Sequence, residues 1–137
     1  MLPYPIKIDC EKNGNFRASA VDFLEVEALG GGQQEVVDNL QKNIEKNIMY
    51  RIARNLPIPS PSSNKEPRLY LSTIAQAKIY LYWVMQEKKI KKTELAKMLK
   101  VQPSEITRLF DIRHQTSIEK LQQAFKCLGR TLEINLR

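Results

Sequence analysis

The chain has 137 residues, 42% of them hydrophobic and 7% aromatic, and its 22 Lys/Arg outnumber its 15 Asp/Glu. That length holds one ordinary domain or two small ones, and the composition is normal for a soluble globular protein. The longest apolar run, Ile79–Met85, is far below the roughly 20 residues a membrane span needs. The N-terminus shows no basic segment leading into an apolar core, so the expected location is cytoplasmic with no membrane partner. Cys10 and Cys127 are isolated, match no metal knuckle, and are expected as reduced, buried thiols. The charge is uneven. Residues 1–65 carry eight Lys/Arg and eight Asp/Glu, whereas residues 66–137 carry fourteen and seven. The whole +7 excess thus lies in the C-terminal half, where a basic surface gains affinity for a phosphate backbone by releasing condensed counterions.

Tyr4–Ile8 reads as a strand, followed by an Asn13-Gly14 hairpin turn, since both residues tolerate positive φ. In Phe16–Val21, Phe16, Ala18 and Ala20 alternate against Arg17 and Ser19. Leu24, Val26 and Ala28 alternate against Glu25 and Glu27, which predicts a third strand. Gly30-Gly31-Gly32 lacks the Lys-Ser/Thr of a phosphate loop and reads as a strand-to-helix joint. Gln33–Arg54 is predicted as a long amphipathic helix, with Val36, Leu40, Ile44, Ile48 and Ile52 on one face and Val37 beside them. Leu56-Pro57-Ile58-Pro59-Ser60-Pro61 is a stiff connector, because each proline holds its predecessor extended. Arg68–Leu71 is a fourth strand.

A helix over about Thr73–Lys89 opens the basic half and is apolar almost all round at Ile79–Met85, so it should be covered on several sides. Lys92–Leu109 reads as a helix-turn-helix. Leu95, Ala96, Leu99, Val101, Ile106 and Leu109 have the spacing of two short crossing helices, with Ala96 small at the crossing and Val101 in the turn. Gln102, Ser104, Thr107 and Arg108 face away and are of the types that read base edges in a major groove. Lys88, Lys89, Lys91, Lys92, Lys97 and Lys100 form the densest basic stretch. Phe110–Thr116 reads as a polar loop. Ser117 is an N-cap for a helix buried through Leu121, Ala124, Phe125 and Leu128, and Gly129 is its C-cap. Leu132, Ile134 and Leu136 alternate through Thr131–Leu136, predicting a terminal strand that needs a partner. The same strand of a second copy supplies one, giving a homodimer or higher homo-oligomer with DNA half-sites about 34–36 Å apart or a multiple of that.

The order of parts, the LPIPSP connector and above all ITRLFDIRHQTSIEKLQQAFKCLGRTLEI resemble the HicB antitoxin family over nearly the whole chain. The resemblance implies an α+β protein. Residues 1–72 would form a partial RNase H-like βββαβ domain that binds the toxin. Residues 73–137 would form an all-helical, repressor-like helix-turn-helix domain with a C-terminal strand, for DNA binding and dimerisation. The implied partners are a HicA-type mRNA-cleaving toxin and double-stranded operator DNA, through which the family represses its own operon. By position in the motif, base contacts fall at Gln102, Ser104, Thr107 and Arg108. Phosphate contacts fall at Lys91, Lys92, Thr93, Lys100 and Arg113. Toxin contacts are expected at the acidic residues around the third strand, Asp22, Glu25, Glu27 and Glu35. One departure stands out: Lys100 occupies the turn position where repressors usually carry Gly, and left-handed geometry there costs on the order of 1 kcal/mol.

The resemblance implies no catalytic activity, metal or cofactor. A two-metal nuclease would need converging carboxylates, and Asp9, Asp22 and Asp38 lie in three different local contexts. His114, the single histidine, reads as a phosphate neighbour or solvated loop residue. The rival readings are a stand-alone repressor whose N-terminal domain senses a ligand, and a DNA-guided nuclease.

Overall fold

The structure, a computed structural model, describes residues 2–136. The chain divides into two compact units, Met1–Ser72 and Thr73–Arg137. The described residues form a mixed α+β structure with a four-stranded antiparallel sheet and five helices.

The first unit contains β1 (Pro3–Cys10), β2 (Phe16–Ala20), β3 (Glu27–Gly30), α1 (Gln33–Ala53) and β4 (Arg68–Tyr70), with sheet order β3-β2-β1-β4. The β1–β2 loop closes through Glu11 N–H to Asn15 O at 2.7 Å and Gly14 N–H to Glu11 O at 3.0 Å. Of the Asn13-Gly14 pair only Gly14 takes positive φ, at 85°. Ile6 stands opposite Ala20, Ile8 opposite Ala18, and Ala18 opposite Ala28. The small Ala18, Ala20 and Ala28 let α1 lie against β2 and β3 and bury Val36, Leu40, Ile44, Ile48 and Ile52, while Val37 is half-buried. Gly30 permits the close start of that helix, because a Cβ there would lie 2.7 Å from the Val36 nitrogen.

The third strand differs from its prediction. It begins at Glu27, and the residues before it form a turn in which Val26 N–H donates to Phe23 O at 3.0 Å and Glu25 is left-handed at φ 73°. A period-two reading back to Leu24 assumes extended backbone, and Glu25 breaks it. Phe23 therefore takes the core position, fully buried and edge-on to Tyr4 at 4.8 Å, while Leu24 is 81% exposed. The proline connector has no regular structure but is anchored, with Ile58 buried and the Tyr4 hydroxyl donating to Pro59 O at 2.8 Å. Cys10 is exposed and Cys127 half-buried, contrary to the expected buried thiols. Cys10 is the last residue of β1, beyond the strand's buried first half.

The second unit contains α2 (Thr73–Lys88), α3 (Lys92–Leu99), α4 (Pro103–Leu109) and α5 (Ile118–Cys127). As its apolar composition requires, α2 is buried on several sides, through Ala75, Ala77, Lys78, Ile79, Leu81, Tyr82 and Met85. Residues 110–116 are less polar in effect than predicted, since Phe110 and Ile112 are buried and Phe110 meets Tyr82 edge-on at 6.5 Å. The Ser117 hydroxyl accepts from Lys120 N–H at 3.2 Å and caps α5. At the other end Gly129, at φ 73°, supports paired bonds from Gly129 N–H to Lys126 O and from Arg130 N–H to Phe125 O. The expected strand over Thr131–Leu136 is not formed in the single chain. A strand exists by pairing, and no ladder in the chain includes these residues.

Candidate nucleic-acid interface and acidic turn

The geometry of α3 and α4 follows from their ends. Lys91 N–H donates to the Glu94 carboxylate at 3.4 Å, opening α3, and Leu95 is fully buried beneath it. The helix stops at Lys100, which is left-handed at φ 57°, ψ 45°. Lys100 N–H then donates to Lys97 O, and Val101 N–H to Ala96 O at 3.0 Å. Gln102 is the extended N-cap of α4 and Pro103 its first residue, a position where the missing N–H costs nothing. α4 buries Ile106 and Leu109, while Ala96, Leu99 and Val101 are half-buried.

Gln102, Ser104, Thr107 and Arg108 are all exposed, as are Lys91, Thr93, Lys100 and Arg113. Thr107 spends its hydroxyl proton on Pro103 O at 3.2 Å. Lys92 is half-buried, with its ammonium 5.6 Å from the centre of the Phe110 ring, and burial lowers its pKa. It therefore packs the foot of α3 as well as carrying charge. His114 is exposed in the loop after α4.

Lys78 belongs to none of the motifs legible in the sequence. This residue is 0% exposed, and its ammonium donates to three backbone carbonyls: Arg108 at 2.9 Å, Asp111 at 2.8 Å and His114 at 2.7 Å. Burial pushes its pKa down to about 8, against the opposing attraction of Asp111. The available signal was a lysine four residues before Tyr82 and three after Ala75, on the apolar side of α2.

The acidic residues of the first unit do not act as one cluster. Asp22 accepts Ser62 N–H at 3.0 Å, and Glu35 accepts Gly31 N–H at 2.9 Å at the start of α1. Glu27 pairs with Arg17 at 2.9 Å, and Arg17 also bonds Glu11 at 2.6 Å. Those hydrogen bonds, Glu11 first, raise the Arg17 pKa. Glu25 and Glu27 come together along two shallow clefts of about 300 and 330 Å³ on either side of the turn, one of which Leu24 also lines. Leu24 is the second residue missed, because alternation assigned it to the core. Asp38 accepts from Gln34 at 2.9 Å and Asp9 is exposed. Among the described residues no group of three or more His, Cys, Asp or Glu side chains is placed to hold a metal ion. Nor, among them, is any helix long and apolar enough to cross a membrane.

No family model matches the chain. Among curated proteins, "Antitoxin HicB 2" of Photorhabdus laumondii is 29% identical, over 97% of this chain and 95% of its own length. "Antitoxin HicB" of Escherichia coli K12 is 26% identical over 97% and 98%, and that of Pseudomonas fluorescens Pf0-1 is 26% identical over 99% and 94%. The chain is HicB-like over nearly its full length. The likeness to the HicB antitoxins spans both units, so it takes in the acidic turn of the first as well as the paired short helices of the second.

Proposed function

We propose that this HicB-like chain is an antitoxin with two working parts. Residues 1–72, a partial RNase H-like domain, bind and block a HicA-type mRNA-cleaving toxin. They present Leu24, Glu25 and Glu27 from the turn before β3, with Asp22 and Glu35 flanking. Residues 73–137 are a repressor-like helix-turn-helix domain that represses the operon. In it α4 enters the major groove, with Gln102, Ser104, Thr107 and Arg108 toward base edges and Lys91, Lys92, Thr93, Lys100 and Arg113 toward phosphates. Two copies pair through Thr131–Leu136 to span a palindromic operator. The protein is not an enzyme and works in the cytoplasm.

The observation that carries this reading is the similarity to proteins named antitoxin HicB along 97% of the chain. Exposure of all four base-reading candidates on and beside α4 supports the DNA arm. Co-expression tests the first part: the product of the adjacent reading frame should arrest growth alone and be neutral when this chain is present. A gel shift with the upstream duplex tests the second, where binding equal to that of a scrambled duplex would remove the repressor arm.

A further inference from the structure

Among the described residues, Lys78 is the only buried polar or charged side chain. An ammonium has three N–H donors, and all three are used, on the carbonyls of Arg108, Asp111 and His114. Those carbonyls recur every third residue. Each interval is closed by a turn, Asp111 N–H to Arg108 O at 3.2 Å and His114 N–H to Asp111 O at 3.0 Å. The chain thus leaves α4 in two successive turns whose carbonyls converge on one buried cation. Converging carbonyl dipoles repel each other without a cation, and a positive charge at a helix C-terminus is favourable. α4 has seven residues, too few to hold itself as an isolated helix. Its C-terminal end depends on something outside it.

We propose that Lys78 is a positioning residue for nucleic-acid recognition. By gathering the carbonyls of Arg108, Asp111 and His114, it fixes the backbone from which Arg108 and Arg113 reach a duplex. The Asp111 carboxylate extends the same frame, accepting Arg113 N–H at 3.0 Å. Lys78 touches no nucleic acid and acts through the backbone of residues that do. This inference rests on the helix-turn-helix reading.

The test uses the full chain and two duplexes of equal length, the region upstream of its own gene and a scrambled copy. Lys78→Met removes the charge and all donors, Lys78→Gln keeps two donors, and Lys78→Arg keeps the charge. With helical content unchanged by circular dichroism, Lys78→Met should lose at least tenfold of the preference for the upstream duplex. Lys78→Arg should recover most of it and Lys78→Gln should fall between. Amide hydrogen exchange over residues 110–116 should quicken in Lys78→Met and Lys78→Gln while the rest of the unit keeps its protection. Folded Lys78→Met with wild-type preference overturns the proposal; should that variant not fold, Lys78→Gln with wild-type preference and unchanged exchange does so. A wild type indifferent between the duplexes instead removes the DNA reading, and the positioning role with it.

Discussion

The Lys78 ammonium donates to the Arg108 carbonyl at 2.9 Å, while the Arg108 side chain stays exposed on α4. One residue is therefore held from behind by a buried charge and offers its guanidinium to solvent. An exposed arginine on a two-turn helix would otherwise pay for its freedom in lost precision, since a side chain aims only as well as its backbone is fixed.

Removing the clamp should weaken the fold as well as recognition. Lys78→Met leaves three part-buried carbonyls short of a donor, although Arg108 O and Asp111 O each keep a backbone N–H. A loss of about 1–3 kcal/mol in urea unfolding is expected. The pH dependence has a defined sign. With the Lys78 pKa at about 8 folded and an ordinary 10.5 unfolded, the unfolded state binds more protons between those values. Its contribution to stability therefore rises with pH across that window. Wild type should gain on Lys78→Met from pH 8 to 10, by at most about 1.4 kcal/mol per pH unit. Lys92, lowered by burial, and Tyr82, raised by burial, titrate in both proteins and largely cancel in the difference.

Lys100 carries a left-handed backbone that glycine adopts without strain. Lys100→Gly should stabilise the chain by about 1 kcal/mol, seen as a higher denaturation midpoint. If Lys100 also meets a phosphate, the same variant should reduce the salt slope of DNA binding by about 1. A variant that is less stable than wild type would contradict the turn geometry.

Arg108 and Lys91 are both exposed at the paired helices but have different assigned roles. Arg108→Ala should cost about 1–3 kcal/mol on the operator and little on a scrambled duplex, whereas Lys91→Ala should weaken both alike. Equal loss of discrimination from the two would reverse these assignments.

Phe23 and Leu24 are neighbours with opposite fates. Phe23→Ala should cost about 3–5 kcal/mol of stability, because its ring is fully buried against Tyr4. Leu24→Ser should change stability by no more than about 0.5 kcal/mol yet weaken toxin binding by about 2 kcal/mol, as a central anchor would. Calorimetric titration with the toxin checks the second value, and an unaltered affinity would move the docking surface elsewhere.

Periodicity and end signals carried most of the local structure. The stripe from Val36 to Ile52, the Ser117 and Gly129 caps, Pro103 opening α4, and the outward side chains of that helix were all legible in the chain, because each depends on neighbours within one or two turns. What local patterns could not reveal was set by residues distant in sequence. Phe23 displaced Leu24 because Tyr4, far back in the chain, offered a ring to pack against. Lys78 went inside because three carbonyls, 30, 33 and 36 residues further along, converge where its ammonium ends. A charge is tolerated in a core only when the fold assembles its partners, and that assembly is a property of three dimensions.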